Sequence, residues 1–422
     1  MNGRRSALRS LAAVAVASLL GMSGAAAQSG NPIKVGMTLA LTGAGAPAGK
    51  MLQAAIEIWR DDINAKGGML GRPVEVIIYD DQSNPANVPN LYTKLISVDK
   101  ADLFLGPYGT NYVAPVMPTI IQNKKMLISY TAIGINDQYK YDKYFSMVPV
   151  GSDGVNAFSK GFFEMAAKQN PKPQTVAIIA ADAEFAQSAA QGAREEMKKH
   201  GFKLIFDKSY PPNTTDFTPV MRAVQAANAD IVYAGAYPPD SVGLVRAANE
   251  IGLNPKMFGG ALIGQLVTPI KAQLGAVQNG LVIQESFVPS PKLNFPGLDD
   301  LMKRYQAKAG ELKTDQIGFA FVPFGYTNGQ ILDQAVTATK SLDQDVLAKY
   351  IHSHSFKTVV GEISFGKDGE WAKPRMVLTQ FQNIEPNNVD QFKNGAKQPI
   401  LWPPEYASGT MIYPYGEARK KP

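Results

Sequence analysis

Ile33-Lys-Val-Gly-Met-Thr-Leu39 is an apolar run that leads into the loop Thr42-Gly-Ala-Gly45 and an amphipathic stretch closed by Gly67-Gly68. A second run, Val74 to Tyr79, ends in Asp80-Asp81, and a third, Leu103 to Leu105, ends in Gly106-Pro-Tyr-Gly-Thr110. The order is strand, helix, strand, helix, strand. Consecutive βαβ units build a parallel sheet whose carboxyl-end loops form a ligand crevice, so this stretch predicts both the α/β class and where something binds. Leu52, Ala55, Ile56, Trp59 and Ile63 fall on one helical face, which assigns Trp59 to the core, and the glycine pair ends that helix with residues that tolerate positive φ.

Further along, Met126 to Ser129, Val176 to Ala180, Leu204 to Phe206, Ile231 to Ala234 and Leu281 to Ile283 are apolar runs of strand length, with helical patterns between most of them. With the second and third runs of the opening stretch they suit two doubly wound parallel sheets. The pattern breaks near Ser146 to Gly151 and again near Gln284 to Pro291, both marked by proline. Met376 to Gln382 is strand-like and precedes a Pro, Asn and Tyr-rich tail.

The start of the chain predicts an exported protein. Arg4, Arg5 and Arg9 precede the apolar Leu11 to Leu20, and Ala25-Ala26-Ala27 offers the small residues of a cleavage site, so the mature chain is expected to begin near Gln28. The apolar segment is shorter than the roughly 20 residues a membrane helix needs. Arg4-Arg5 leaves a twin-arginine route open beside the general one. The sequence has no cysteine, which removes disulfides, thiol chemistry and lipid attachment, so a freely soluble periplasmic protein is expected. With 422 residues and 45% hydrophobic content, the core is large and split over more than one domain. Removing residues 1–27 takes away three arginines and no acids, so the formal charge falls from +6 to +3. No basic stripe is present, and nucleic acid is not an expected partner.

Motifs for chemistry fail on inspection. Gly43-Ala-Gly45-Ala-Pro-Ala48 has a loose dinucleotide pattern, but Pro47 sits where the backbone would meet a pyrophosphate and the acids Asp80 and Asp81 come too late to hold a ribose. Gly49-Lys50 lacks the other features of a phosphate loop, since Met51 replaces the magnesium-holding hydroxyl. His200, His352 and His354 lack carboxylates spaced as metal ligands, and no Gly-x-Ser-x-Gly elbow occurs. No catalytic residue, metal or cofactor is expected, and a crevice without visible chemistry points to binding.

Several segments then carry a family resemblance. Ile33 to Gly43, Asp62-Ile-Asn-Ala-Lys-Gly-Gly68 with Gly71-Arg-Pro-Val-Glu75, Gly106-Pro107, Thr215-Asp-Phe217, Ala229 to Gly235, and Gly361-Glu-Ile-Ser-Phe365 with Asp368-Gly369 resemble the branched-chain amino-acid-binding proteins of ABC importers, which are type I periplasmic binding proteins. The resemblance covers nearly the whole mature chain. It implies two α/β lobes joined by three hinge crossovers: residues 28–148 plus 286–365 as the first lobe, 149–285 plus 366–405 as the second, and 406–422 as a tail. It also implies a monomer that closes on a small ligand and docks on an ABC permease in the inner membrane. A ligand-binding receptor signalling to a membrane sensor is the alternative, and an exported enzyme a third.

Carried over residue by residue, the resemblance places the ligand's carboxylate against Thr110 and Tyr130-Thr131. It places aromatic contacts at Phe185, Tyr237 and Phe321. Uncharged hydroxyls and backbone N–H groups suffice, because ionised acceptors make strong hydrogen bonds. The acid that neutralises an amino acid's ammonium falls at Ala261, and an aromatic of the first loop at Ala48, so both departures imply a larger, less polar pocket. Such a pocket suits an acid without an α-amino group, for example an aromatic one. Glu285 or Asp182 would supply the charge otherwise, which keeps branched-chain and other amino acids among the expected ligands.

Overall fold

The computed structural model describes residues 30–420, so the predicted leader at residues 1–27 lies outside the described residues. Two sheets organise the chain. The first uses β1 (Ile33–Leu39), β2 (Val74–Asp80), β3 (Leu103–Phe104), β4 (Leu127–Ser129) and β5 (Tyr144–Ser146). β1 is paired in parallel between β2 and β3, a single parallel bridge from Leu105 to Ile128 joins β3 to β4, and β4 pairs in parallel with β5.

The second sheet uses β6 (Thr175–Ala181), β7 (Lys203–Tyr210), β8 (Ile231–Ala236), β9 (Met257–Leu262) and β10 (Val282–Glu285). A hairpin, β11 (Phe356–Thr358) and β12 (Gly361–Ile363), returns to the first lobe, and β13 (Val377–Gln380) and β14 (Ile400–Trp402) complete the second sheet in the order β14-β13-β10-β9-β8-β6-β7. Its strands run in one direction except β13, which lies antiparallel between β10 and the edge strand β14. The molecule therefore has two α/β lobes joined by three crossovers: after β5, after β10 and before β13. The first and third are tied together, since Arg375 N–H donates to the Pro149 carbonyl at 2.7 Å.

The predicted helix forms over Ala46–Ala65, and Leu52, Ala55, Ile56, Trp59 and Ile63 are all buried. Gly67 and Gly68 take φ of +101° and +77°, and Gly68 N–H closes on the Ile63 carbonyl. Trp59 is core, as its spacing predicts. It packs under helix Val322–Thr339, where a Cβ on Gly329 would lie 2.1 Å from the indole. Only glycine permits that helix approach, and the burial of the two faces against each other stabilises the first lobe.

β9 is absent from the apolar runs read in the sequence because Gly259-Gly260 interrupts it. Those glycines are there for space: a Cβ on Gly259 would sit 1.7 Å from the Val282 carbonyl of the neighbouring strand. In the tail, Tyr415 is buried in the second lobe's core, with its ring 5.8 Å from Phe258. Among the described residues, no helix is long and apolar enough to cross a membrane.

Candidate functional site between the lobes

The loops that follow β1 to β10 converge on one cavity of about 370 Å³. Every one of those ten strands contributes at least one wall residue, from Ala44 and Gly45 after β1 to Ser286 after β10. This is the geometry of parallel strands whose following helices all start on the same side. Five helices begin at the wall: Ala46–Ala65, Thr110–Gln122, Glu184–Lys199, Pro238–Glu250 and Val322–Thr339. The first turns of helices leave N–H groups without partners and carry partial positive charge, which favours an anion. Pro47, Pro238, Pro239 and Pro323 remove donors from three of them, so Thr110–Gln122 and Glu184–Lys199 are the better anion ends.

The first-loop end of the wall is clamped by Asp80. Its carboxylate accepts from Leu41 N–H at 3.0 Å, from Thr42 N–H at 3.2 Å and from Thr42 Oγ1 at 2.7 Å. Partial burial works against ionisation, but these bonds and one from Gln82 N–H hold the carboxyl below its ordinary range. Asp80 thus fixes the loop that presents Gly45, rather than holding a ligand itself.

In the first lobe, Tyr130 and Phe321 lie on the wall with ring centroids 5.8 Å apart, and Tyr108 meets Phe321 at 5.6 Å. Tyr130 OH donates to the Ala320 carbonyl at 2.8 Å, so this platform is held within its own lobe. Thr110 and Thr131 are also on the wall: Thr110 Oγ1 accepts from Ile133 N–H at 3.1 Å, while the buried Thr131 Oγ1 has no partner in the protein.

In the second lobe, Phe185 and Tyr237 lie on the wall 5.9 Å apart, with Phe158 5.4 Å from Phe185. Here the bonds cross the cleft. Tyr237 OH donates to Asn111 Oδ1 at 2.8 Å, and Phe185 N–H shares itself between Asn111 Oδ1 and Tyr237 OH, each at 3.2 Å. Burial pushes the Tyr237 hydroxyl up to about 12, so it stays a neutral donor. Asn111, not singled out by the sequence, joins the lobes at the cavity wall; its place directly after Thr110, in the first turn of a helix at the crevice, was the available signal.

Two expectations need correction. Ala48 is buried in the first lobe's core and is absent from the wall, because the helix has already begun at Ala46 and turns this face toward β1. Ala261 is buried among Ile133, Val148, Phe158, Phe185 and Met376, one layer behind the wall, while Ile263, two residues on, reaches the cavity. Neither alanine touches the cavity. Asp182 is exposed and away from it. Of the eight residues named from the sequence, Thr110, Tyr130, Thr131, Phe185, Tyr237 and Phe321 are brought together around one space.

Among the described residues, no lysine or arginine lines the cavity, and its acids are Asp240 and Glu285. Asp240, also unread in the sequence, is 4% exposed and accepts from Tyr210 OH at 3.3 Å; burial pushes its carboxyl up to about 6. Glu285 is 1% exposed, and its Oε1 meets Lys271 Nζ at 3.1 Å and accepts from Gln398 Nε2 at 2.6 Å. Burial raises the Glu285 carboxyl, with Lys271 acting in the opposite sense. No histidine lines the cavity; His352, for example, is held between the carbonyls of Gly366 and Asp142 at 3.0 and 2.8 Å.

Comparison with known proteins places this geometry. A family model described as periplasmic binding protein matches residues 32–386. The Leu/Ile/Val-binding protein homolog 7 of Brucella suis biovar 1 (strain 1330) is 25% identical over 393 residues, spanning 88% of this chain and 94% of that protein. A solute binding protein of an ABC transporter from Rhodopseudomonas palustris BisB5, solved in complex with 3,4-dihydroxy benzoic acid, superposes with a TM-score of 0.71 at 19% identity, over 83% of this chain and 93% of that one. The branched-chain amino acid transporter substrate binding protein LivJ from Streptococcus pneumoniae, solved with isoleucine, gives a TM-score of 0.71 at 18% identity, over 88% of this chain and 100% of that one. At these identities the structural likeness is one of fold.

Proposed function

The chain belongs to the periplasmic binding protein family, and from that membership we propose that it is the solute-binding component of an ABC importer, exported to the periplasm, monomeric, and handing its ligand to a permease in the inner membrane. The observation that carries this reading is the cavity itself. It is fed by the loops of ten strands from two lobes and bridged by Asn111, so a ligand touching both walls favours the closed arrangement over the open one. In this reading the lobes, residues 28–148 plus 286–365 and 149–285 plus 366–405, move about the crossovers.

The ligand we propose is a small carboxylate-bearing solute: a branched-chain or other amino acid, or an aromatic or other organic acid. Its carboxylate takes the N–H groups at the starts of helices Thr110–Gln122 and Glu184–Lys199, with the hydroxyls of Thr110 and Thr131. Its apolar body packs on Tyr130, Phe321, Phe185 and Tyr237. Relatives of this fold hold isoleucine in one case and a dihydroxybenzoate in another, which supports either body.

A thermal-shift screen of the mature protein against leucine, isoleucine, valine, their deaminated counterparts, aromatic carboxylates and small amides tests the reading. A ligand at a hundredfold excess over Kd adds about 2.7 kcal/mol of apparent stability. Stabilisation by members of either acid class is expected. Stabilisation by the amides alone would overturn the carboxylate, and silence across the panel would overturn solute capture of this class.

A further inference from the structure

Two adjacent residues at the end of β10 are buried on the cavity wall with hydrogen-bonding capacity that the protein leaves unused. Gln284 is 3% exposed, and neither its Oε1 nor its Nε2 has a partner. Glu285 is 1% exposed, and its Oε2 has none. Buried polar groups are nearly always satisfied, and an unsatisfied one costs free energy that a matching ligand group recovers.

The charge around Glu285 narrows the match. Lys271 Nζ stands 3.1 Å from Oε1 and Gln398 Nε2 donates to the same oxygen at 2.6 Å, so the carboxylate already has its counter-ion. A ligand ammonium at Oε2 would bring a second cation next to Lys271 in a low-dielectric site, where repulsion is strong. A neutral donor meets no such repulsion. An unpaired carboxylate oxygen only accepts, which matches a hydroxyl that donates once.

We propose that the free Oε2 of Glu285 receives a hydroxyl of the ligand, phenolic or alcoholic, remote from its carboxylate, and that this acceptor selects hydroxylated acids over unsubstituted and amine-bearing ones. The inference rests on the reading that a carboxylate-bearing solute occupies the cavity. It sharpens the ligand class to hydroxy acids with an apolar or aromatic body.

Isothermal titration calorimetry on the mature chain tests it with matched probes: benzoate, para-hydroxybenzoate and para-(aminomethyl)benzoate, and the longer pair cinnamate and para-coumarate. In at least one pair the hydroxylated member is expected to bind about tenfold or more tightly than its parent, and the aminomethyl acid most weakly. In Glu285→Gln, Lys271 retains the remaining oxygen and an NH2 group replaces the free acceptor, so the hydroxylated acid's advantage over its parent falls to about threefold or less. Glu285→Asp keeps a carboxylate for Lys271 but withdraws the free oxygen from the cavity and is expected to reduce the same advantage, which separates recognition from any misfolding of the first variant. Equal binding of parent and hydroxylated acids in the unaltered protein overturns the hydroxyl while leaving solute capture standing. Tightest binding of the aminomethyl acid overturns the neutral donor. Binding of none of the acids overturns the carboxylate reading, and this inference with it.

Discussion

The two walls of the cavity are supported in different ways. In the first lobe Tyr108, Tyr130 and Phe321 pack on one another, and Tyr130 is bonded to the Ala320 carbonyl, so that wall exists whether or not the cleft is shut. In the second lobe Phe185 and Tyr237 depend on Asn111 across the cleft for two of the contacts that orient them, and on each other for a third. One wall is a platform and the other is completed by closure. Stability and affinity should therefore separate along the line between the lobes, and substitutions on either side test whether they do.

The largest effect is expected from Phe321→Ala. The ring is 2% exposed and central to the platform, so its loss should destabilise the unliganded protein by about 3–5 kcal/mol, read by urea or thermal unfolding. A change below about 1 kcal/mol would mean the platform is not self-supporting. Asn111→Ala should do the reverse. Its cross-cleft bonds matter only when closed, so ligand Kd should rise about ten- to a hundredfold with little change in the melting temperature of the free protein. Equal losses of stability and affinity would erase the distinction between the walls.

A smaller effect concerns one buried acid in each lobe. Burial pushes Asp81 in the first and Asp240 in the second up to about 6, above the ordinary value near 4. Such a carboxyl binds a proton more tightly folded than unfolded, so its ionisation subtracts stability; that loss grows as pH rises from about 4 to 6 and is complete above. Asp240→Asn should therefore be more stable than the unaltered protein at neutral pH by about 1–2 kcal/mol, with the gap closing as the pH falls toward 4. Melting temperatures across that range read it, and a gap independent of pH would show that titration of Asp240 is not its source. Asp81→Asn applies the same measurement to the platform lobe. The smallest effect is Tyr237→Phe, which removes one cross-cleft hydroxyl and should weaken ligand about three- to tenfold, or about 0.5–1.5 kcal/mol. No change in Kd would assign the bridging to Asn111 and the Phe185 amide alone.

Sequence pattern reached the fold where periodicity was uninterrupted. The face of Leu52, Ala55, Ile56, Trp59 and Ile63 and the early parallel strands are all present. It failed at β9, where Gly259 serves the neighbouring strand's carbonyl rather than strand propensity, and at the short β5, β11, β12 and β14, which are too brief to show a period. For the site, loops after strands could be foreseen, and six of the named residues line one space. Ala48 and Ala261 were misplaced because aligned positions carry no information about which side of a helix or strand meets the cavity. Asn111, Asp240 and Gln284 were missed because their role depends on partners 126, 30 or more residues away, or on having none.

Val148, Ser286 and Met376 stand on the three crossovers and on the cavity wall at once. A solute held in the cavity would thus sit against the axle, at the short arm of two levers. A fraction of an ångström of extra girth there sweeps the far rims of the lobes through a longer arc. Molecular girth would then be converted into an angle, and a membrane partner resting on both rims would gauge the cargo from that angle alone, without touching it.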